Sequence, residues 1–203
     1  MTLSSLLNQA FTPEPLLLGG HRLLYQADYL KPEAADWLLA YCKGLPWVQS
    51  RIRLYGKWHP IPRLNCWFAD PGLRYAYSGA SLAGNGWTEP LARVRQALQQ
   101  HVQLDFNNML ANYYRDGNDS MGWHSDDEPE LGADPVIAAV SLGVERPIRF
   151  RPKGGGKSVG LAMAHGSLLV MPAGFQAEWQ HGLPKRQGSG ERVSLTFRYI
   201  APQ

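Results

Sequence analysis

The stretch Trp123-His124-Ser125-Asp126-Asp127-Glu128 sets an imidazole and a carboxylate two residues apart. On extended backbone, side chains at i and i+2 leave the same face. His124 and Asp126 can therefore offer two ligands to one divalent first-row metal. A third ligand from elsewhere would complete a two-histidine, one-carboxylate facial triad, the set that leaves positions open for a co-substrate and dioxygen at iron(II). The pair alone is a weak signal. Residues 124–134 hold five acids and no Lys or Arg, which is also the composition of a solvated acidic turn.

The segment Arg192-Val-Ser-Leu-Thr-Phe-Arg198 adds a second chemistry. It alternates strictly, so Arg192, Ser194, Thr196 and Arg198 share one strand face and Val193, Leu195, Phe197 and Tyr199 the other. The two arginines lie roughly 20 Å apart at Cα, and inward-leaning side chains could hold an extended diacid between their heads. An outer face of an edge strand would read the same. A central strand, however, would bury two guanidinium groups, and an anionic ligand would then be their natural counter-charge. Asn112 and Tyr114 share a face in Leu110-Ala-Asn-Tyr-Tyr-Arg-Asp-Gly117 and could hydrogen-bond a ligand carboxylate. The third metal ligand is His181 or His165. His181 lies eleven residues before Arg192, where a hairpin would bring it beside the arginine strand, so it is preferred. His165 opens an apolar run and suits a structural role.

These residues need a scaffold. The chain has 203 residues, 44% of them hydrophobic, enough for a core in one domain without disulfides. Cys42 and Cys66 have no zinc spacing and read as reduced thiols. A formal charge of +3 permits a nucleic-acid partner without requiring one. No apolar run nears the roughly 20 residues of a membrane helix, and the N-terminus lacks the pattern of a signal peptide. The expectation is a cytoplasmic protein (nuclear, if eukaryotic) with no membrane partner. No heptad pattern is evident, so a monomer is expected. Residues 1–20 read as a lead-in. Pro32 opens a helix to Lys43, with Trp37, Leu38 and Tyr41 on one face and Gly44 as its stop. A second helix starts at Thr88, with Leu91, Val94, Leu98 and Val102 at helical spacing. Residues 51–80 read as irregular. From Phe106 the period becomes two, predicting strands at 106–115, 136–143, 147–151, 159–163, 167–172, 176–181 and 192–200. Helices first and strands afterwards predict an α+β chain, mainly β.

Taken in order, Asn112-Tyr-Tyr-Arg-Asp-Gly117, His124-Ser-Asp-Asp-Glu128, Val136-Ile-Ala-Ala-Val-Ser-Leu-Gly143, His165-Gly-Ser-Leu-Leu, Gln180-His181 and Arg192-Val-Ser-Leu-Thr-Phe-Arg198 resemble the AlkB family. The likeness covers about residues 50–200. It implies an iron(II)- and 2-oxoglutarate-dependent dioxygenase with a double-stranded β-helix (jelly-roll) core and N-terminal helices packed on one sheet. The single domain would comprise the lead-in, nucleotide-recognition loops at 50–87 and the jelly roll at 105–201. The resemblance implies His124, Asp126 and His181 as iron ligands, and Asn112, Tyr114, Arg192 and Arg198 as contacts to 2-oxoglutarate. Where the family strand carries Asn, two residues after the first arginine, this chain has Ser194, so a Ser194→Asn variant is expected to bind 2-oxoglutarate more tightly.

The first half is similar to the nucleic-acid-repairing branch. Arg53-Leu-Tyr-Gly-Lys-Trp-His-Pro-Ile-Pro-Arg63 resembles the hairpin and loop that probe duplex DNA, with basic and aromatic residues interleaved. This implies nucleic-acid contacts at Arg53, Tyr55, Lys57 and Arg63. Tyr55 falls at the wedge position, though a loop aromatic packed on the core would read the same. Tyr75-Ala-Tyr-Ser-Gly79 matches the base-pocket segment through Tyr75, Tyr77 and Ser78, and Glu128 matches an acid that contacts the base. Residues 145–157, with five basic residues and one acid, are a second candidate for backbone contact. The implied reaction is oxidative demethylation of 1-methyladenine- and 3-methylcytosine-type lesions in DNA. Rival readings are the same chemistry on RNA or protein, a non-catalytic metal-dependent binding module, and a small cupin-like metal protein. The last leaves the arginine pair unexplained.

Overall fold

The computed structural model describes residues 10–201 except 55, 74, 78, 79 and 83. Strands β1 (Glu14–Leu18), β2 (His21–Gln26), β5 (Leu64–Ala69), β8 (Asn108–Tyr114), β10 (Ile137–Gly143), β13 (Ser167–Met171) and β15 (Arg192–Arg198) form a seven-stranded sheet. Its order is β1-β2-β13-β10-β15-β8-β5. Strands β9 (Met121–His124), β11 (Arg146–Pro152), β12 (Val159–Met163) and β14 (Trp179–Leu183) form a smaller sheet in the order β12-β11-β14-β9. Every pairing within both sheets is antiparallel. Two hairpins stand apart, β3 (Arg51–Leu54) with β4 (Lys57–Pro60) and β6 (Tyr75–Tyr77) with β7 (Ala80–Leu82).

The period-two pattern of β15 decides how the layers stack. Val193, Leu195 and Phe197 join the core with helices α1 (Pro32–Lys43) and α2 (Glu89–Val102). The alternate residues of β15 face the smaller sheet. A second core lies between the sheets and includes Leu23, Ile137, Phe150, Met171 and Phe175. The expected mainly-β α+β jelly roll with helices on one sheet is thus the observed architecture.

Several local expectations are corrected. The lead-in is partly built into the sheet: β1 pairs with β2 as the edge strand. The described residues of 51–82 form two hairpins and a sheet strand rather than irregular chain. Of the expected face of α1, Leu38 is buried, together with Ala34, Ala35 and Cys42. Tyr41 is half-buried against the same core, whereas Trp37 is exposed and stacks on the Tyr41 ring, centroids 5.6 Å apart. The strand expected at 176–181 begins instead as the helical turn α3 (Phe175–Glu178), because Gly174 at φ +78° reverses the chain there. Strand β14 follows it. Thr88 precedes α2 as expected, but its side chain makes no capping hydrogen bond.

Candidate active site

β9 carries His124 to the edge of the smaller sheet, and β14 places His181 directly opposite it. Asp126 lies just beyond β9, where the Gln176 side-chain oxygen accepts its backbone N–H at 3.0 Å. Ser125 Oγ donates to the Trp179 carbonyl at 2.9 Å and pins the same loop to β14. The ligand-type atoms of His124, Asp126 and His181 lie within 4.8 Å of one another and could hold a metal ion. His124 Nε2 is 3.9 Å and His181 Nε2 4.0 Å from the Asp126 carboxylate, too far for hydrogen bonds. The Gly122 carbonyl, 2.9 Å from His124 Nδ1, can only accept. The proton is therefore on Nδ1, and Nε2 presents its lone pair toward Asp126. Among the described residues, Asp126 Oδ2 and His181 Nδ1 have no hydrogen-bond partner although buried. Two imidazoles and a carboxylate with an unused oxygen fit a divalent cation.

The electrostatics keep these donors in their ligating forms. Burial opposes charge on Asp126, but its neighbours, the Arg198 guanidinium first among them, outweigh it and hold the carboxyl down to about 2. Burial, helped by neighbouring His124, pushes the His181 imidazole down to about 3, so it is neutral. Burial also lowers His124. Arg198 Nη2 donates to Asp126 Oδ1 at 2.9 Å in an ion pair buried on both sides. Arg198, one of the expected arginine pair, therefore orients the candidate metal ligand.

β15 is a central strand between β10 and β8. The pocket between the sheets is lined by Asn112, Tyr114, Arg192, Ser194, Thr196 and Arg198 on one side and by His124, Asp126 and His181 on the other. Leu110, Met121, Ile148, Met163, Met171 and Leu183 complete an apolar wall. Arg192 is 3% exposed, and its Nε donates to Ser141 Oγ at 3.0 Å. Burial pushes this guanidinium down to about 10. Two guanidinium groups lie over the Tyr114 ring, Arg192 at 5.4 Å and Arg146 at 5.5 Å from its centroid. Arg146 donates to the carbonyls of Asp116, Asp119 and Pro184. Composition alone had read Arg146 as one of the basic residues at 145–157; its burial came only with the fold.

The geometry joins His181 rather than His165 to the His124–Asp126 pair. The route differs from the expected hairpin: β14 and β15 belong to different sheets and face each other across the pocket. His165 accepts the Gly143 N–H at Nδ1, 2.8 Å, and faces Asp36 through Nε2, a structural arrangement. Glu128 is half-buried two residues past Asp126. Tyr55 and Ser78 lie outside the described residues, as do the side chains of Tyr75 and Tyr77. Arg53 and Lys57 are exposed on the β3–β4 hairpin, with Arg53 directly opposite exposed Trp58. Arg63 is a correction: the expected nucleic-acid contact is only 4% exposed, and its Nε donates to Asn112 Oδ1 at 2.9 Å. Its fixed position behind the pocket, not a surface, decides what it touches.

The profile described as 2OG-Fe(II) oxygenase superfamily matches residues 22–198. Solved structures share the fold: OsALKBH1 at TM-score 0.65 and 14% identity, covering 91% of this chain and 99% of that one, and a Pseudomonas putida prolyl-4-hydroxylase at TM-score 0.61 and 19% identity, covering 90% and 94%. Fold and donor set thus define a 2-oxoglutarate- and iron(II)-dependent oxygenase. Among curated proteins, the alpha-ketoglutarate-dependent dioxygenase alkB homolog 3 of Mus musculus is 37% identical over 196 residues, 91% of this chain and 68% of its own length. The DNA oxidative demethylase ALKBH2 of Bos taurus is 41% identical over 162 residues, 75% of this chain and 58% of its own. The chain belongs to the AlkB family of dioxygenases, and the match spans about two thirds or less of these relatives. Membership implies iron(II), 2-oxoglutarate and dioxygen. No described helix is long and apolar enough to cross a membrane.

Proposed function

We propose that this chain is an oxidative demethylase of N-alkylated bases in DNA, acting on lesions of the 1-methyladenine and 3-methylcytosine type. The observation that carries the chemistry is the His124–Asp126–His181 cluster, with His124 half-buried and the other two buried, facing buried Arg192 across one pocket. The substrate class draws on the 41% identity to a protein named as a DNA oxidative demethylase and on the exposed basic hairpin with Arg53 and Lys57.

His124, Asp126 and His181 would hold the iron. Iron(II) with 2-oxoglutarate and dioxygen would supply the oxidation that turns an N-methyl into an N-hydroxymethyl group, with 2-oxoglutarate becoming succinate and carbon dioxide; the hydroxymethyl group then leaves as formaldehyde, restoring the unmodified base in the DNA. The chain's own task is placement and exclusion of water. Arg192 would take the distal carboxylate of 2-oxoglutarate, with Tyr114 and Asn112 as hydrogen-bond donors and Ser194 beside them. Arg198 keeps Asp126 ionised and turned toward the ligand space. The apolar wall keeps solvent from the oxidising centre. Tyr75, Tyr77, Ser78 and Glu128 would receive the base, and Arg53, Tyr55 and Lys57 would meet the backbone or the gap it leaves. Arg63 is not among these contacts.

The direct test is a DNA oligonucleotide carrying one 1-methyladenine, incubated with the protein, iron(II), 2-oxoglutarate and air, with product mass as the readout. The expected result is loss of one methyl, abolished by a chelator. Succinate formed with the methyl retained would move the substrate elsewhere, which RNA and peptide arms would identify. Ser194 is 8% exposed and directly beside Asn112 in the sheet. Ser194→Asn should add one hydrogen bond and tighten 2-oxoglutarate binding by about threefold; a titration curve unchanged from wild type would contradict that role for Ser194.

A further inference from the structure

The loop leaving the β3–β4 hairpin is fastened at both ends. Ile61 N–H donates to the Ser50 carbonyl at 2.9 Å, and Ser120 N–H donates to the Pro62 carbonyl at 2.8 Å. Arg63 then points inward, reaching Asn112 Oδ1 through Nε at 2.9 Å and the Ser120 carbonyl through Nη1 at 3.3 Å. Asn112 is 6% exposed and lines the pocket. Its cross-strand neighbours are Asn65 and Ser194.

An amide can present either its oxygen or its NH2 to a ligand, and the two ends are nearly the same shape. Asn112 has no such choice. An arginine N–H can only donate, so the atom facing Arg63 must be the oxygen. The NH2 is then left as the end available to the pocket, and it is the only end a carboxylate can accept from. We propose that Arg63 is a positioning residue for the co-substrate: it fixes the Asn112 amide with its donor toward the 2-oxoglutarate site. The inference rests on Asn112 being a co-substrate contact. Without Arg63 the amide is free to turn its oxygen toward a carboxylate, which replaces an attraction with a repulsion.

The test is the dissociation constant of 2-oxoglutarate for manganese(II)-loaded protein, read by calorimetry, with the manganese affinity measured on the same samples. Arg63→Met keeps the bulk and removes the donors. It should weaken 2-oxoglutarate binding about tenfold while manganese binds as in wild type. Arg63→Lys, which can only donate, should recover much of the loss, and it carries the measurement if Arg63→Met does not fold. Asn112→Ala should also weaken binding, and the Arg63→Met/Asn112→Ala double variant should bind no more weakly than Asn112→Ala alone. Wild-type affinity in Arg63→Met, losses that multiply in the double variant, or parallel loss of manganese would each overturn the proposal. Wild-type affinity in Asn112→Ala would instead remove the underlying reading, and it does so in a protein that still has Arg63.

Discussion

Replacing His181 with alanine should give a folded protein that binds iron(II) or manganese(II) at least about 100-fold more weakly and forms succinate about a thousandfold more slowly, or roughly 4 kcal/mol in barrier. His181 is the informative ligand to remove. Taking away Asp126 would break its buried ion pair with Arg198, and breaking a buried pair by removing one partner costs about 3–5 kcal/mol. Loss of activity there would be confounded with loss of fold. His181 is already neutral, because burial pushes its imidazole down to about 3, and its Nδ1 has no hydrogen-bond partner among the described residues. Its removal therefore leaves no charge behind. Near-ultraviolet circular dichroism checks that the packing survives. His165→Ala is the control: that ring accepts a backbone N–H from Gly143, and the variant should still bind the metal. Metal binding kept in His181→Ala but lost in His165→Ala would reverse the ligand assignment.

The parts legible in the sequence were those where one periodicity ran unbroken. Arg192–Arg198 alternates without exception, and it proved to be a central strand with all seven residues buried. The apolar positions of α2 recur at helical spacing, and Leu91, Val94 and Leu98 are buried. Misreadings came where tertiary packing overrode local character. Trp37 outweighs Ala34 and Ala35 in hydrophobicity, yet the two alanines are buried and Trp37 is exposed. β1 has no alternation to give it away, and only its pairing with β2 makes it a strand. The alternation of 176–181 runs through a turn that Gly174 begins.

The site divides the same way. His124 and Asp126 were readable because two residues of extended chain link them. His181 needed a fold that sets β14 opposite β9, and the sequence offered His165 as an equal in type. Arg63 was misread because basic residues among aromatics describe an exposed loop, and the four of residues 51–63 do not share one fate. Arg53 and Lys57 are at the surface, while Arg63 is turned inward by a contact with a residue 49 positions away. No local pattern encodes that partner.

Arg192→Met should have opposite effects on the empty and the loaded protein. In the protein without co-substrate, Arg192 is a buried cation that donates to a serine hydroxyl, and among the described residues no carboxylate pairs with it. A buried charge without a counter-charge costs several kcal/mol. Arg146, whose guanidinium also lies over the Tyr114 ring, adds like charge nearby. The empty protein carries this cost, and a dicarboxylate would relieve it. Methionine fills similar space without the charge. The variant should therefore unfold at a temperature equal to or above that of the wild type when no co-substrate is present. The rise that 2-oxoglutarate gives the wild type should vanish, with affinity lower by at least about 100-fold, corresponding to the roughly 2–5 kcal/mol lost when one partner of a buried hydrogen-bonded charge pair is truncated. Thermal unfolding of both proteins with metal, with and without 2-oxoglutarate, reads both effects. A less stable empty variant would mean that Arg192 is held by the protein rather than awaiting an anion. An undiminished rise with 2-oxoglutarate would place the carboxylate elsewhere. The two effects come from one cause: the same desolvation that makes Arg192 costly when the pocket is empty makes its hydrogen bonds to an anion strong when the pocket is filled.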